Sequence, residues 1–228
     1  MKKNIFQLLF LIITGIHIGS IFFGNTLFSS LSKPLIVSSL LCFFLSCKPL
    51  LYANVGHLII AALSCSVIGD VLLLFENKNP NYFIFGLLSF LMAHIFYSIS
   101  FFKILKKAQA KIRWSLLPIV VCYYCFLLYL LYPTLGSLRL PVIIYGGVIS
   151  SMFFIALQLA YIRHVSILIT IGATFFVLSD TLLAINKFYM PFYQASVLIM
   201  ITYCLAQYCI VKGIINSAFN IQQQTTSI

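Results

Sequence analysis

Apolar residues run through this chain in long stretches, and polar residues collect in the short gaps between them. A hydrocarbon core of about 30 Å takes about 20 helical residues, with about 17–25 tolerated. Eight stretches meet or approach that length, at 4–23, 34–47, 56–75, 82–102, 115–132, 141–161, 165–185 and 192–213. The gaps carry turn and charge signals: "CKPL", "ENKNPN", "KILKKAQAKIR", "YPTLGSLRLP", "IRH" and "NKFYMP". The second stretch is short, and Pro34 after "SSLSK" reads as its first helical residue. The polar end "NIQQQTTSI", within 217–228, reads as an irregular tail. The pattern predicts an all-α polytopic membrane protein with eight transmembrane helices and a single membrane domain over 1–228.

Composition sharpens this picture. Hydrophobic residues make up 62% of the chain and charged residues 7%, against about 45–50% and about 25% in soluble domains. The formal net charge of +11 reflects scarce acids rather than a basic face for nucleic acid, so no nucleic-acid partner is expected. The opening "MKKNIFQLLFLIITGIHIGSIFFG" has an apolar run longer than a secretory leader needs and no A-x-A site, so it reads as the first membrane helix. Seven cysteines lie almost entirely inside apolar segments and read as small buried hydrophobes. Cys122 and Cys125 form a CxxC without nearby partner ligands, and neither metal nor cofactor is expected.

Basic residues orient the bundle. With the N-terminus inside, Lys2, Lys3, Lys48, Lys103, Lys106, Lys107, Lys111, Arg113, Arg163 and Lys212 fall on the cytoplasmic side. Lys33, Lys78, Arg139 and Lys187 fall outside, and ten against four places both termini in the cytoplasm. That topology suits a bacterial inner membrane or an endoplasmic reticulum membrane.

Against this background three acids stand out: Asp70, Glu76 and Asp180. Asp70 and Asp180 lie in the third and seventh stretches, in the outer half of the bilayer. Their surroundings, "VIGDVLLLF" (67–75) and "VLSDTLLAI" (177–185), share V, D, L and L. The spacing of four helices fits two parallel four-helix repeats, 1–113 and 114–216, around a central cavity. A charged side chain at the bilayer centre costs about 2.5–3.5 kcal/mol on insertion scales, so both should face the bundle interior. Two carboxyls sharing one apolar cavity divide the labour of acid and base.

Helical spacing adds candidates around them. Gly86, Phe90, His94 and Tyr97 share one face of the fourth helix; Ser196, Met200, Tyr203 and Gln207 share one face of the eighth. Lys33 and Lys187 reach the outer membrane edge, where a lysine either snorkels or grips a lipid phosphate. Neither a G-x-S-x-G elbow nor an H-E-x-x-H motif occurs.

These residues resemble the YhhN-like family of eight-helix membrane proteins, which includes lysoplasmalogenases. The matching elements are "KPL" (33–35), "GDVLLL" (69–74), "GLLSFLMAHIFY" (86–97), "LSDTLLAINKF" (178–188) and "TYCLAQY" (202–208), in order and with family-like spacing. The resemblance implies hydrolysis of the vinyl ether of lysoplasmalogens, with a lysophospholipid as substrate. It makes Asp70 and Asp180 the two acidic sites and Lys33, His94, Tyr203, Gln207, Asn186 and Lys187 the other polar positions. Tyr97 joins the substrate-binding set because it shares His94's face. Two other readings stay open on the residues alone: a lipid or small-molecule transporter with a protonatable Asp pair, and a non-catalytic scaffold in which the aspartates tie helices together.

Overall fold

The computed structural model describes residues 2–47 and 53–226, with side chains described over 5–47 and 54–220. The "CKPL" gap beyond Cys47, with Lys48, and the side chains of Lys2 and Lys3 lie outside the described residues. Among the described residues, eight helices long and apolar enough to cross a membrane make up the fold: α1 (Lys2–Phe22), α2 (Thr26–Ser46), α3 (Ala53–Leu73), α4 (Asn81–Lys107), α5 (Leu117–Leu131), α6 (Arg139–Leu159), α7 (Leu168–Ala184) and α8 (Ala195–Thr226). Helix is the expected answer where no water can satisfy a peptide group.

Two boundaries correct the sequence reading. Pro34 does not open α2 but sits inside it, because Asn25 caps the helix by accepting the Phe28 amide at 3.1 Å. A mid-helix proline removes one backbone bond. Around it, serine hydroxyls bond carbonyls of the preceding turn, with Ser32 Oγ donating to Phe28 O at 2.5 Å and Ser38 Oγ to Pro34 O at 2.8 Å. Lys33 is thereby carried into the helix rather than left at its lip. At the other terminus, the segment read as an irregular tail continues α8 to Thr226. After Gly213 it holds neither glycine nor proline, so an established helix propagates through it.

Six helices form a closed ring: α2 packs on α3, α3 on α4, α4 on α6, α6 on α7, α7 on α8, and α8 back on α2. Helix α1 covers the α2–α8 seam, and α5 lies against α6. Burial separates the extremes. In the most apolar stretch of α8, 67% of residues are buried, against 11% for α5, so α8 is the central post and α5 a peripheral strut.

Close backbone approach joins α7 to α8. A Cβ on Gly172 would lie 2.7 Å from the Ile210 amide nitrogen and 2.8 Å from the Ala206 carbonyl oxygen, and one on Gly213 would lie 2.7 Å from the Ile169 amide nitrogen. Small residues at such crossings are how membrane helices gain contact. Backbone cannot swing aside as a side chain can, so Gly172→Ala is expected to destabilise the protein by about 1–3 kcal/mol. A thermal melt in detergent reads this as a lowered Tm, and an unchanged Tm would contradict the tight crossing.

Helix α7 ends in a π-helical turn, Ile185–Tyr189, where the Met190 amide donates to Ile185 O at 2.9 Å. The wider turn carries Asn186 and Lys187 to the mouth described next.

Candidate active site

Asp70 on α3 is 1% exposed, deep enough that its carboxylate must find a partner inside the protein. It finds one on α8: Tyr203 Oη donates to Asp70 Oδ2 at 2.9 Å. Behind Tyr203, Gln207 Nε2 donates to Ser66 Oγ at 3.0 Å and lies 3.4 Å from Tyr203 Oη, while Tyr97 Oη donates to Gln207 Oε1 at 2.7 Å. The amide of Gln207 thus ties α3, α4 and α8 together and orients the tyrosine that holds Asp70.

Asp180 on α7 has a different partner. Tyr145 Oη on α6 donates to Asp180 Oδ2 at 2.6 Å. His94 on α4 approaches the same oxygen, with Nε2 at 3.7 Å, too long for a hydrogen bond. The fully buried imidazole is fixed edge-on between Tyr145 and Phe176, with ring centroids 5.4 and 4.6 Å away. Each aspartate is therefore met by side chains from other helices: α8 for Asp70, α4 and α6 for Asp180.

Both carboxyls line one cavity of about 70 Å³, with Lys33, Phe90, Ser179 and Met200 among its walls. Space on this scale admits a few water-sized groups. The cavity opens onto a polar vestibule of about 450 Å³ at the end of the bundle carrying the α1–α2 turn, the α3–α4 loop and the α7–α8 loop. Lys33, Leu73, Phe83, Leu183, Ile199 and Met200 line both spaces and form the threshold between them. Asn25, Ser29, Glu76, Asn186, Lys187 and Ser196 belong to the vestibule. So does His17, whose Nδ1 lies 2.8 Å from Ser32 Oγ while its buried Nε2 makes no hydrogen bond.

The residues singled out in the sequence fall into three groups. Asp70, Asp180, Tyr203 and Lys33 meet at the cavity. His94, Tyr97 and Gln207 lie behind its wall, buried and outside the lining, so they reach a bound molecule only through Asp180 or Tyr203. Asn186 and Lys187 stand in the vestibule, and Lys187 is engaged there: its Nζ lies 3.2 Å from Glu76 Oε2 and 4.6 Å from the centre of the Phe83 ring. Tyr145 escaped the sequence reading. The available signal was a tyrosine beside "GG" in the apolar sixth stretch.

An all-helical bundle with two carboxyls on one small cavity beside a polar vestibule defines a class: multi-pass membrane proteins with acidic side chains held inside the bundle. The chain belongs to the YhhN family, whose model matches residues 28–214. It is similar to human "Lysoplasmalogenase TMEM86A", with 32% identity over 165 residues, 70% of this chain and 65% of the relative. The cattle protein of the same name matches with the same identity and coverage. The chain spans about 65% of the length of these curated relatives. No solved structure matches it.

Proposed function

We propose that this protein hydrolyses the vinyl ether bond of lysoplasmalogens, releasing a fatty aldehyde and a glycerophospho-headgroup. The observation that carries the reading is the convergence of Asp70 and Asp180 on one small cavity below a polar vestibule, in a chain similar to lysoplasmalogenases. A lysolipid matches that layout. Its ether linkage descends to the carboxyls, its glycerol passes Lys33 at the threshold, and its phosphate and headgroup occupy the vestibule. With the vestibule facing outward, the basic residues counted in the sequence leave both termini in the cytoplasm.

The chemistry needs only a proton donor and a water. One carboxyl gives its proton to the outer alkenyl carbon, and the C=C pair becomes the new C–H bond. The resulting oxocarbenium ion is trapped by water, which loses its proton to the second carboxylate. The hemiacetal then breaks its bond to the glycerol oxygen, which leaves protonated, and the aldehyde departs. Glycosidases divide two carboxyls in the same way around an oxocarbenium-like state. The Coulombic demand falls on groups already positioned before the substrate arrives.

The purified protein in detergent, given a 1-alkenyl lysophospholipid in D2O, is expected to release an aldehyde carrying one deuterium at C2. The matching 1-alkyl ether, which has no double bond to protonate, should remain intact. Release of a fatty acid from the 1-acyl analogue, with the alkenyl lipid untouched, would overturn the reading in favour of an esterase. Transbilayer movement of the alkenyl lipid in proteoliposomes without any aldehyde would overturn it in favour of a transporter.

A further inference from the structure

A second apolar space, about 60 Å³, lies between α4, α5, α6 and α7. Its walls include Tyr124, Leu128 and Leu131 of α5, Val142 and Ile149 of α6, and Val177 of α7. Polar atoms along it are already engaged. The Tyr123 and Thr181 hydroxyls hydrogen-bond each other across α5 and α7, and Tyr124 Oη donates to Ile143 O at 2.8 Å. What the groove offers a visitor is hydrocarbon and aromatic surface.

This groove shares a wall with the acid cavity. Phe83, Leu87, Tyr145, Asp180 and Leu183 line both, so Asp180 and Tyr145 stand in the partition between them. The cavity holding the carboxyls borders both the polar vestibule and the apolar groove, with Phe83 and Leu183 common to all three. That sequence of polar space, acids and apolar space has the order of headgroup, ether bond and chain in a single-chain lipid. The outer wall of the groove is α5, the least buried helix, which packs against α6 and the turn after α7. A single sparsely buried helix therefore separates the groove from the surrounding bilayer.

We propose that the groove bounded by α5, α6 and α7 is the subsite for the substrate's alkenyl chain. This rests on the hydrolase reading above and adds to it an assignment of roles. With the chain in the groove, the outer alkenyl carbon lies against Asp180, which delivers the proton. Asp70, which lines the cavity but not the groove, takes the proton of the attacking water. Methylenes that fit the groove are kept from water and those beyond its end are not, so the groove sets the preferred chain length.

The test uses a saturated 1-alkyl lysophospholipid with a diazirine at the chain end, photolysed on the purified wild-type protein and mapped by peptide sequencing. Label is expected on α5 and α6, between Tyr123 and Ile149. Label on α1, α2 or α8 overturns the groove assignment whether or not the protein releases aldehyde. Label in the groove without aldehyde release from the alkenyl lipid sinks the hydrolase reading and leaves the subsite standing. In parallel, Leu128→Trp fills the groove at a half-buried position of α5. It is expected to lower the ratio of long-chain to short-chain kcat/KM by about tenfold, the effect of excluding roughly two methylenes. An unchanged ratio contradicts the assignment.

Discussion

Asp180→Asn is expected to lower the rate of aldehyde release by about 10³–10⁴-fold, and Asp70→Asn by about 10²–10³-fold, within the range of general acid–base effects. Both amides keep nearly the size of the acid and fit the same hydrogen-bonded places, so loss of activity should come without loss of fold. The inequality follows from the chemistry. Carbon protonation creates the high-energy cation, and an amide has no proton to give. Trapping the cation is easier, because water can attack it with less help from a base. The measurement is aldehyde formation at saturating lipid, with the Tm of each variant beside it. A rate for Asp180→Asn within tenfold of wild type would remove Asp180 from the chemistry. The opposite ranking would exchange the two roles.

Tyr145→Phe is the second large effect expected, a fall of about 10–100-fold in kcat. The ring is retained, with its edge contact to His94, and only the hydroxyl that donates to Asp180 at 2.6 Å is removed. As the proton leaves Asp180, negative charge develops on that carboxyl, and the Tyr145 hydroxyl is already aimed at it. A hydrogen bond to a charged group contributes about 1.5–3 kcal/mol, and about 1.4 kcal/mol corresponds to tenfold. Because the bond strengthens in the transition state, the loss should appear in kcat more than in KM. A merely structural role predicts the reverse signature: a lowered Tm, a raised KM and an unchanged kcat.

Much of this arrangement was legible in the sequence, for identifiable reasons. Eight apolar stretches of spanning length announce eight helices, since the bilayer admits few other solutions. Asp70 and Asp180 were conspicuous because a carboxyl in an apolar run is costly. Tyr97, Tyr203 and Gln207 were visible through their helical spacing on two faces. What that spacing did not reveal is depth: Tyr97 and Gln207 brace the cavity from behind and do not line it. Tyr145 was hidden among 13 tyrosines, with no second polar residue on its face to make a period. Lys33 was placed at the membrane lip because Pro34 reads as a helix start. The Asn25 cap, eight residues upstream of Lys33, moves it to the cavity wall. The π-helical turn that brings Lys187 to Glu76 has no local signature at all.

The partners of Asp70 and Asp180 carry a consequence for biogenesis. Asp70 enters the bilayer with α3 but meets the Tyr203 hydroxyl only when α8, the last span among the described residues, has joined. A chain halted after α7 therefore holds a carboxyl in lipid with no donor from α8 to satisfy it, a state that membrane quality control can recognise by its polarity alone. The Asp70 side of the cavity is complete only once α8 has packed against α3 and brought Tyr203 to it.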